Sequence, residues 1–309
     1  MSETSPTRRK TLTTLSAAVG ATFMPRVGQP QAAPAFQFCL NMSTIRGQKL
    51  GFVKELEVAS KAGFRSVEIW INTLEDYLKS GGTVADARKR LSDLGLQVED
   101  AIGFAQWIVD DDAVRAQALE QLQREMDLLA QIGCKRIAAP PMGATQKPGL
   151  DLQKAGERYR AILDLSDKTG VVPQLELWGF SKNLSRLSEV LYVAAESGHP
   201  SARLLLDVYH IYKGGSSPAS LPLVGKPSIE IFHVNDYLAT MPPSTITDAD
   251  RVYPGDGVAP IRDLLKVLKN PDRTIILSLE LFNKTYYAQD ALEVAKTGLN
   301  RMKAMAKGV

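Results

Sequence analysis

Apolar residues in this chain fall into eight short strand-like runs: Phe36 to Asn41, Ser66 to Trp70, Gln97 to Ile102, Arg136 to Pro140, Val172 to Trp178, Ala202 to Asp207, Ile229 to Val234 and Thr274 to Leu281. Between them the period changes from two to that of a helix. The clearest cases are Ala113 to Gln131, where Leu119, Leu122, Met126 and Leu129 recur at helical spacing, and Ala291 to Met305. Gly63, Gly95, Gly133 and Gly170 follow such stretches and precede strands, the place of a helix C-terminal cap. Alternation of this kind over roughly 270 residues predicts an α/β fold of one domain, a parallel (β/α)8 barrel with functional residues at the C-terminal ends of the strands.

The last four strands each deliver a metal-binding side chain near their tips: Glu176, Asp207, His233 and Glu280. Periodicity puts Gln174, Glu176 and Trp178 on one face of the fifth strand, and Ser278 with Glu280 on one face of the eighth. The polar faces can therefore point inward together. Singly, Glu176 fits a salt bridge, Asp207 a cap on the next loop and His233 a satisfied core histidine. Together, three carboxylates and an imidazole suit one divalent ion such as Mn²⁺, Mg²⁺, Co²⁺ or Zn²⁺. Of the chain's 3 histidines, His199 falls in an ordinary turn and is expected to be structural, whereas His210 stands at a strand end.

Composition changes little, with 44% apolar and 23% charged residues describing an ordinary globular protein. Charge is more informative. Arg8, Arg9, Lys10 and Arg26 against Glu3 account for the whole net +3, so residues 36–309 are formally neutral. That balance argues against nucleic acid as a partner and favours a small uncharged substrate. Residues 1–35 read as a cleavable leader: paired arginines, a weakly apolar stretch from Thr11 to Pro25, and Ala33-Pro34-Ala35 as cleavage site. The expectation is twin-arginine export to a bacterial periplasm, with no membrane span after cleavage. Cys39 and Cys134 lie too far apart along the barrel for a disulfide and are expected to be buried thiols.

The motifs Leu-Glu-Leu-Trp at 175–178, Leu-Leu-Asp-Val-Tyr-His at 205–210, Phe-His-Val-Asn-Asp at 232–236, Arg-Val-Tyr-Pro-Gly-Asp-Gly at 251–257 and Leu-Ser-Leu-Glu at 277–280 resemble those of the xylose isomerase-like barrels. The proteins labelled sugar phosphate isomerase/epimerase are similar along essentially all of residues 36–309. The resemblance implies that Glu176, Asp207, His233 and Glu280 hold one divalent ion, Mn²⁺ first among the candidates, and that His210 and Arg251 contact substrate. The segment Tyr237 to Asp250 is longer than its counterpart in the ketose 3-epimerases of the family. The endonuclease branch uses further histidine ligands from the second and third strands, and this chain has none there.

The chemistry expected of the constellation is proton transfer beside a polarised carbonyl, with Glu176 and Glu280 sharing the acid and base roles on a keto sugar. An isomerase or epimerase is the first reading. The same enolate bearing a leaving group on the next carbon gives a dehydratase of a keto-polyol such as an inosose, and a barrel that binds sugar without turnover is a third possibility. Asn41, Glu68, Trp70, Trp107 and Trp178 are candidates for the substrate wall, since flat apolar faces suit sugar C–H surfaces and polar tips suit hydroxyls. Asp236 and Asp256 read as loop residues, and Gly255 and Gly257 as a tight turn. Homo-oligomerisation is left open.

Overall fold

The computed structural model describes residues 1–3 and 34–309. The leader read at residues 1–35 lies almost wholly outside the described residues. Pro34–Val309 form one compact unit. Its strands are β1 (Phe36–Asn41), β2 (Ser66–Trp70), β3 (Gln97–Ile102), β4 (Arg136–Ala139), β5 (Val172–Glu176), β6 (Leu204–Asp207), β7 (Ile231–Val234) and β8 (Ile275–Leu279). All ladders are parallel, in the order β3-β2-β1-β8-β7-β6-β5-β4, and helices alternate with strands to give the (β/α)8 barrel.

The first three strands fall where the sequence placed them, and the rest are shorter for local reasons. Pro140 has no N–H to continue β4. β5 stops at Glu176 because the chain turns there, with Trp178 N–H donating to Leu184 O six residues ahead. β8 ends at Leu279, which leaves Glu280 just beyond the strand. Outward-facing Leu40, Val67, Leu175, Leu206, Phe232 and Leu279 are buried against the helices. Each such side chain contributes roughly 1.5–3 kcal/mol. Gly63 caps the helix Phe52–Ala62 at φ 97°, a conformation that carries no Cβ penalty in glycine. Cys39 and Cys134 are buried free thiols, and among the described residues no helix is long and apolar enough to cross a membrane.

At the N-terminal end of the barrel an ion cluster spans the one seam without a ladder, between β3 and β4. Arg136 on β4 donates through Nη1 to Glu99 O on β3 (3.1 Å) and through Nε to Glu230 Oε2 (2.8 Å). Glu230 also accepts from Arg203 (3.0 Å) and Arg273 (2.8 Å). Burial alone would raise the Glu230 pKa, but the arginines outweigh it and hold the carboxyl below its ordinary value. A depressed carboxylate stabilises the fold above its unfolded pKa and loses that contribution as pH falls through the folded one. Glu230→Gln is therefore expected to cost about 2 kcal/mol in urea unfolding at pH 7. The gap from the parent protein should narrow as pH falls below the ordinary carboxylate range and close once Glu230 itself is protonated.

Candidate metal and substrate site

Asp207 is the last residue of β6 and caps the following helix Val208–Lys213: its Oδ1 accepts from His210 N–H at 2.9 Å. That bond fixes one oxygen and turns Oδ2 toward the barrel axis, where it accepts from Asn235 Nδ2 (2.9 Å) and Arg251 Nη1 (3.1 Å). Ladder register sets Asp207 beside His233 and His233 beside Ser278. Glu280, two residues beyond Ser278, arrives one step higher on the same face. Asp207, His233 and Glu280 thus each offer a ligand atom within 4.8 Å of the others, and all are buried.

His233 supplies the test of whether a cation fits. Its Nε2 meets Glu68 Oε1 at 2.9 Å. Its buried Nδ1 makes no hydrogen bond, yet lies 3.2 Å from Glu280 Oε2 and 3.8 Å from Asp207 Oδ2. A carboxylate behind one ring nitrogen and an unused nitrogen facing two carboxylates is the arrangement of an oriented histidine ligand. The residues present fit a divalent ion. Glu176 is outside this trio but faces the same cavity, of about 160 Å³, with Glu280, His210 and Arg251.

The two glutamates have opposite proton affinities. Burial, with the Glu280 charge added to it, pushes the Glu176 carboxyl up to about 8. Burial also acts to raise Glu280, but His233 and Arg251 outweigh it and hold that carboxyl well below the usual range. Asp207 is raised to about 6 by burial, against the pull of Arg251. His233 is raised well above its ordinary value because Glu280 and Glu68 overcome its desolvation. Burial and Arg251 push His210 the other way, so its imidazole is neutral. Gly179 N–H donates to His210 Nδ1 (3.2 Å), which places the ring proton on Nε2. His210 lines the cavity, with its Nε2 3.2 Å from Arg251 Nη2.

The remaining expected residues are distributed unevenly. Trp70 and Trp178 line the cavity together with Ile102, Phe104, Phe180 and Phe282, which the sequence reading passed over. Ring centroids 5.2–6.4 Å apart join Trp70, Phe104, Trp178 and Phe180 into a collar. Asn41 and Glu68 are fully buried behind the site instead of forming its wall. Glu68 accepts from Asn41 (2.9 Å) and Ser278 (2.6 Å) besides meeting His233, and Asn41 also reaches Glu280 Oε1 (3.2 Å). Trp107 is away from the cavity; its indole donates to Pro140 O (2.9 Å) and packs on Tyr159. Arg251, expected at the substrate, bonds the carboxylates directly.

Asp236 has a more specific role than a loop residue. Its carboxylate accepts from the N–H groups of Tyr237, Gly255, Gly257 and Ala259 at 2.8–3.1 Å, and its backbone exchanges two bonds with Val252. A Cβ at Gly257 would run into Tyr237 O and this carboxylate, so the turn requires glycine. Through Val252 this knot fixes the backbone of Arg251. The signal was present in the sequence as Asn235 and Asp236 directly after the strand carrying His233.

The chain is similar to known proteins over most of its length. An inosose isomerase of Bacillus licheniformis is 25% identical over 269 residues, covering 84% of this chain and 94% of that protein. A 3-dehydroshikimate dehydratase of Pseudomonas aeruginosa is 24% identical over 262 residues, 81% of this chain and 39% of the longer dehydratase. Among solved structures, the IolI protein with a bound zinc atom superposes with a TM-score of 0.80 at 21% identity, covering 88% of this chain and 98% of that one. Residues 56–305 match the family described as xylose isomerase-like TIM barrel, and the chain belongs to that family.

Proposed function

We propose that this protein is a divalent-metal-dependent isomerase or epimerase of an uncharged keto-polyol, with Glu280 as the base and Glu176 as the acid. The observation that carries the reading is the pair of glutamates in one small cavity whose surroundings drive their proton affinities apart. Glu280, ionised, stands where it can take the proton beside the carbonyl, and Glu176, which keeps its proton in the metal-free cavity, stands where it can return one. Asp207, His233 and Glu280 would hold the ion with Glu176 beside them, and the ion would polarise the carbonyl and stabilise charge developing on its oxygen. His210 Nε2–H donates to a substrate oxygen, and the aromatic collar takes the apolar face of the substrate while excluding water. Among the described residues Arg251 is the one arginine or lysine in the cavity wall, and Asp207, Glu280 and Asp248 already engage it, which disfavours a phosphorylated substrate.

The dehydratase relative supports a second reading, in which the same proton removal is followed by loss of water. Keto-polyols incubated with Mn²⁺ in D₂O separate the two. Deuterium exchange beside the carbonyl without an enone or enol chromophore is the expected outcome; a rising chromophore assigns elimination.

Glu280→Gln and Glu176→Gln are each expected to lower kcat by at least about 10²-fold while keeping most of the bound metal, since an amide oxygen still ligates but transfers no proton. Metal loss parallel to activity loss in both variants would overturn the acid and base roles. Asp207→Ala and His233→Ala should lose the ion outright, read by metal analysis of purified protein. Glu68→Gln is expected to weaken metal binding by roughly 10–100-fold with the fold intact, because it releases the His233 ring from its oriented tautomer.

A further inference from the structure

The oxygens that best suit a metal ion are already in contact with a cation of the chain's own. Arg251 Nη1 lies 3.1 Å from Asp207 Oδ2 and 2.6 Å from Glu280 Oε2, the same two oxygens that the unpaired His233 Nδ1 faces. We propose that Arg251 is the resident counter-ion of this carboxylate centre and competes with the divalent ion for Asp207 and Glu280. The inference rests on the divalent-ion reading above.

Three features make the guanidinium suited to two positions. Its Nη2 is paired on the opposite, solvent side with Asp248, whose side chain is 42% exposed. Its plane is held between aromatic rings, with the guanidinium carbon 4.2 Å from the Tyr209 centroid and 5.0 Å from that of Phe282. Its backbone is anchored by the Asp236 knot and by Asn283 Nδ2, which donates to Arg251 O at 3.0 Å. A guanidinium so held can give up its inner bonds without leaving its pocket: Asp248 and the rings retain it while Nη1 releases the two oxygens. Buried carboxylates without a cation carry a large desolvation cost, and in the metal-free barrel Nη1 shares that compensation with the His233 ring. Each incoming ion must displace it, and the donor set binds more weakly than it would alone.

Calorimetric titration of the metal-free full chain with Mn²⁺, together with thermal unfolding, tests the proposal. Arg251→Gln and Arg251→Ala are expected to bind Mn²⁺ about tenfold more tightly than the parent, or roughly 1.4 kcal/mol. Their metal-free forms should unfold several degrees lower, a deficit that saturating Mn²⁺ removes. Arg251→Lys keeps the charge, is the variant safest to fold, and should stay nearer the parent in both respects. Equal or weaker Mn²⁺ affinity in the Gln and Ala variants, with the parent binding normally, overturns the counter-ion role alone. Failure of parent and variants alike to bind Mn²⁺, Co²⁺ or Zn²⁺ overturns the divalent-ion reading and this inference with it.

Discussion

Carboxylates cannot be left charged in the dry interior of a barrel without compensation, and this requirement organises the upper half of the molecule. Glu68, Asp207 and Glu280 are all at least 95% buried, and the groups around them follow from that. His233 bridges Glu68 to the other two, Arg251 closes the remaining side, and Asn41, Asn235 and Ser278 donate to oxygens still unsatisfied. Asn41 comes from the end of β1, Ser278 from β8, His233 and Asn235 from β7 and the residue after it, and Arg251 from the long loop between β7 and β8. The centre can therefore assemble only when the strands are in register.

The two ends of the barrel solve the same electrostatic problem differently. At the N-terminal end Glu230 is surrounded by three arginines, and the result is a fixed clamp across the β3–β4 seam. At the C-terminal end the anions outnumber the chain's own cations, and one carboxyl responds by staying protonated, namely Glu176 at about 8. A site short of positive charge suits a divalent ion, which the proposed chemistry needs.

Much of this was legible in the sequence, because strand order and the period of two are strong signals and they alone bring residues 176, 207, 233 and 280 to one end of the barrel. What the pattern could not supply was depth. Asn41 and Glu68 alternate inward as the rule requires, yet they stop short of the cavity and act through His233 and Glu280. Trp107 follows β3 as a wall residue would, but the chain turns its indole toward Pro140. Phe104, Phe180 and Phe282 lie on loops, where no periodicity marks the side that faces the site. The position of Arg251 depends on a hydrogen-bonded knot formed by residues close in space but about twenty apart in the chain.

The contrast between wall and floor bears on what such a site recognises. A cavity of about 160 Å³ ringed by aromatic faces gives little to a flexible or charged ligand, since the one arginine that lines it among the described residues is engaged by Asp207, Glu280 and Asp248. A compact ring with equatorial hydroxyls at its edge and C–H bonds on its face matches both surfaces at once. Aromatic walls also lower the local dielectric, which strengthens every charge interaction at the base and keeps Glu176 protonated. In the proposed reaction the same side chains would meet the substrate and set the acid strength of Glu176. Polarity introduced into the collar would therefore alter proton transfer as well as binding.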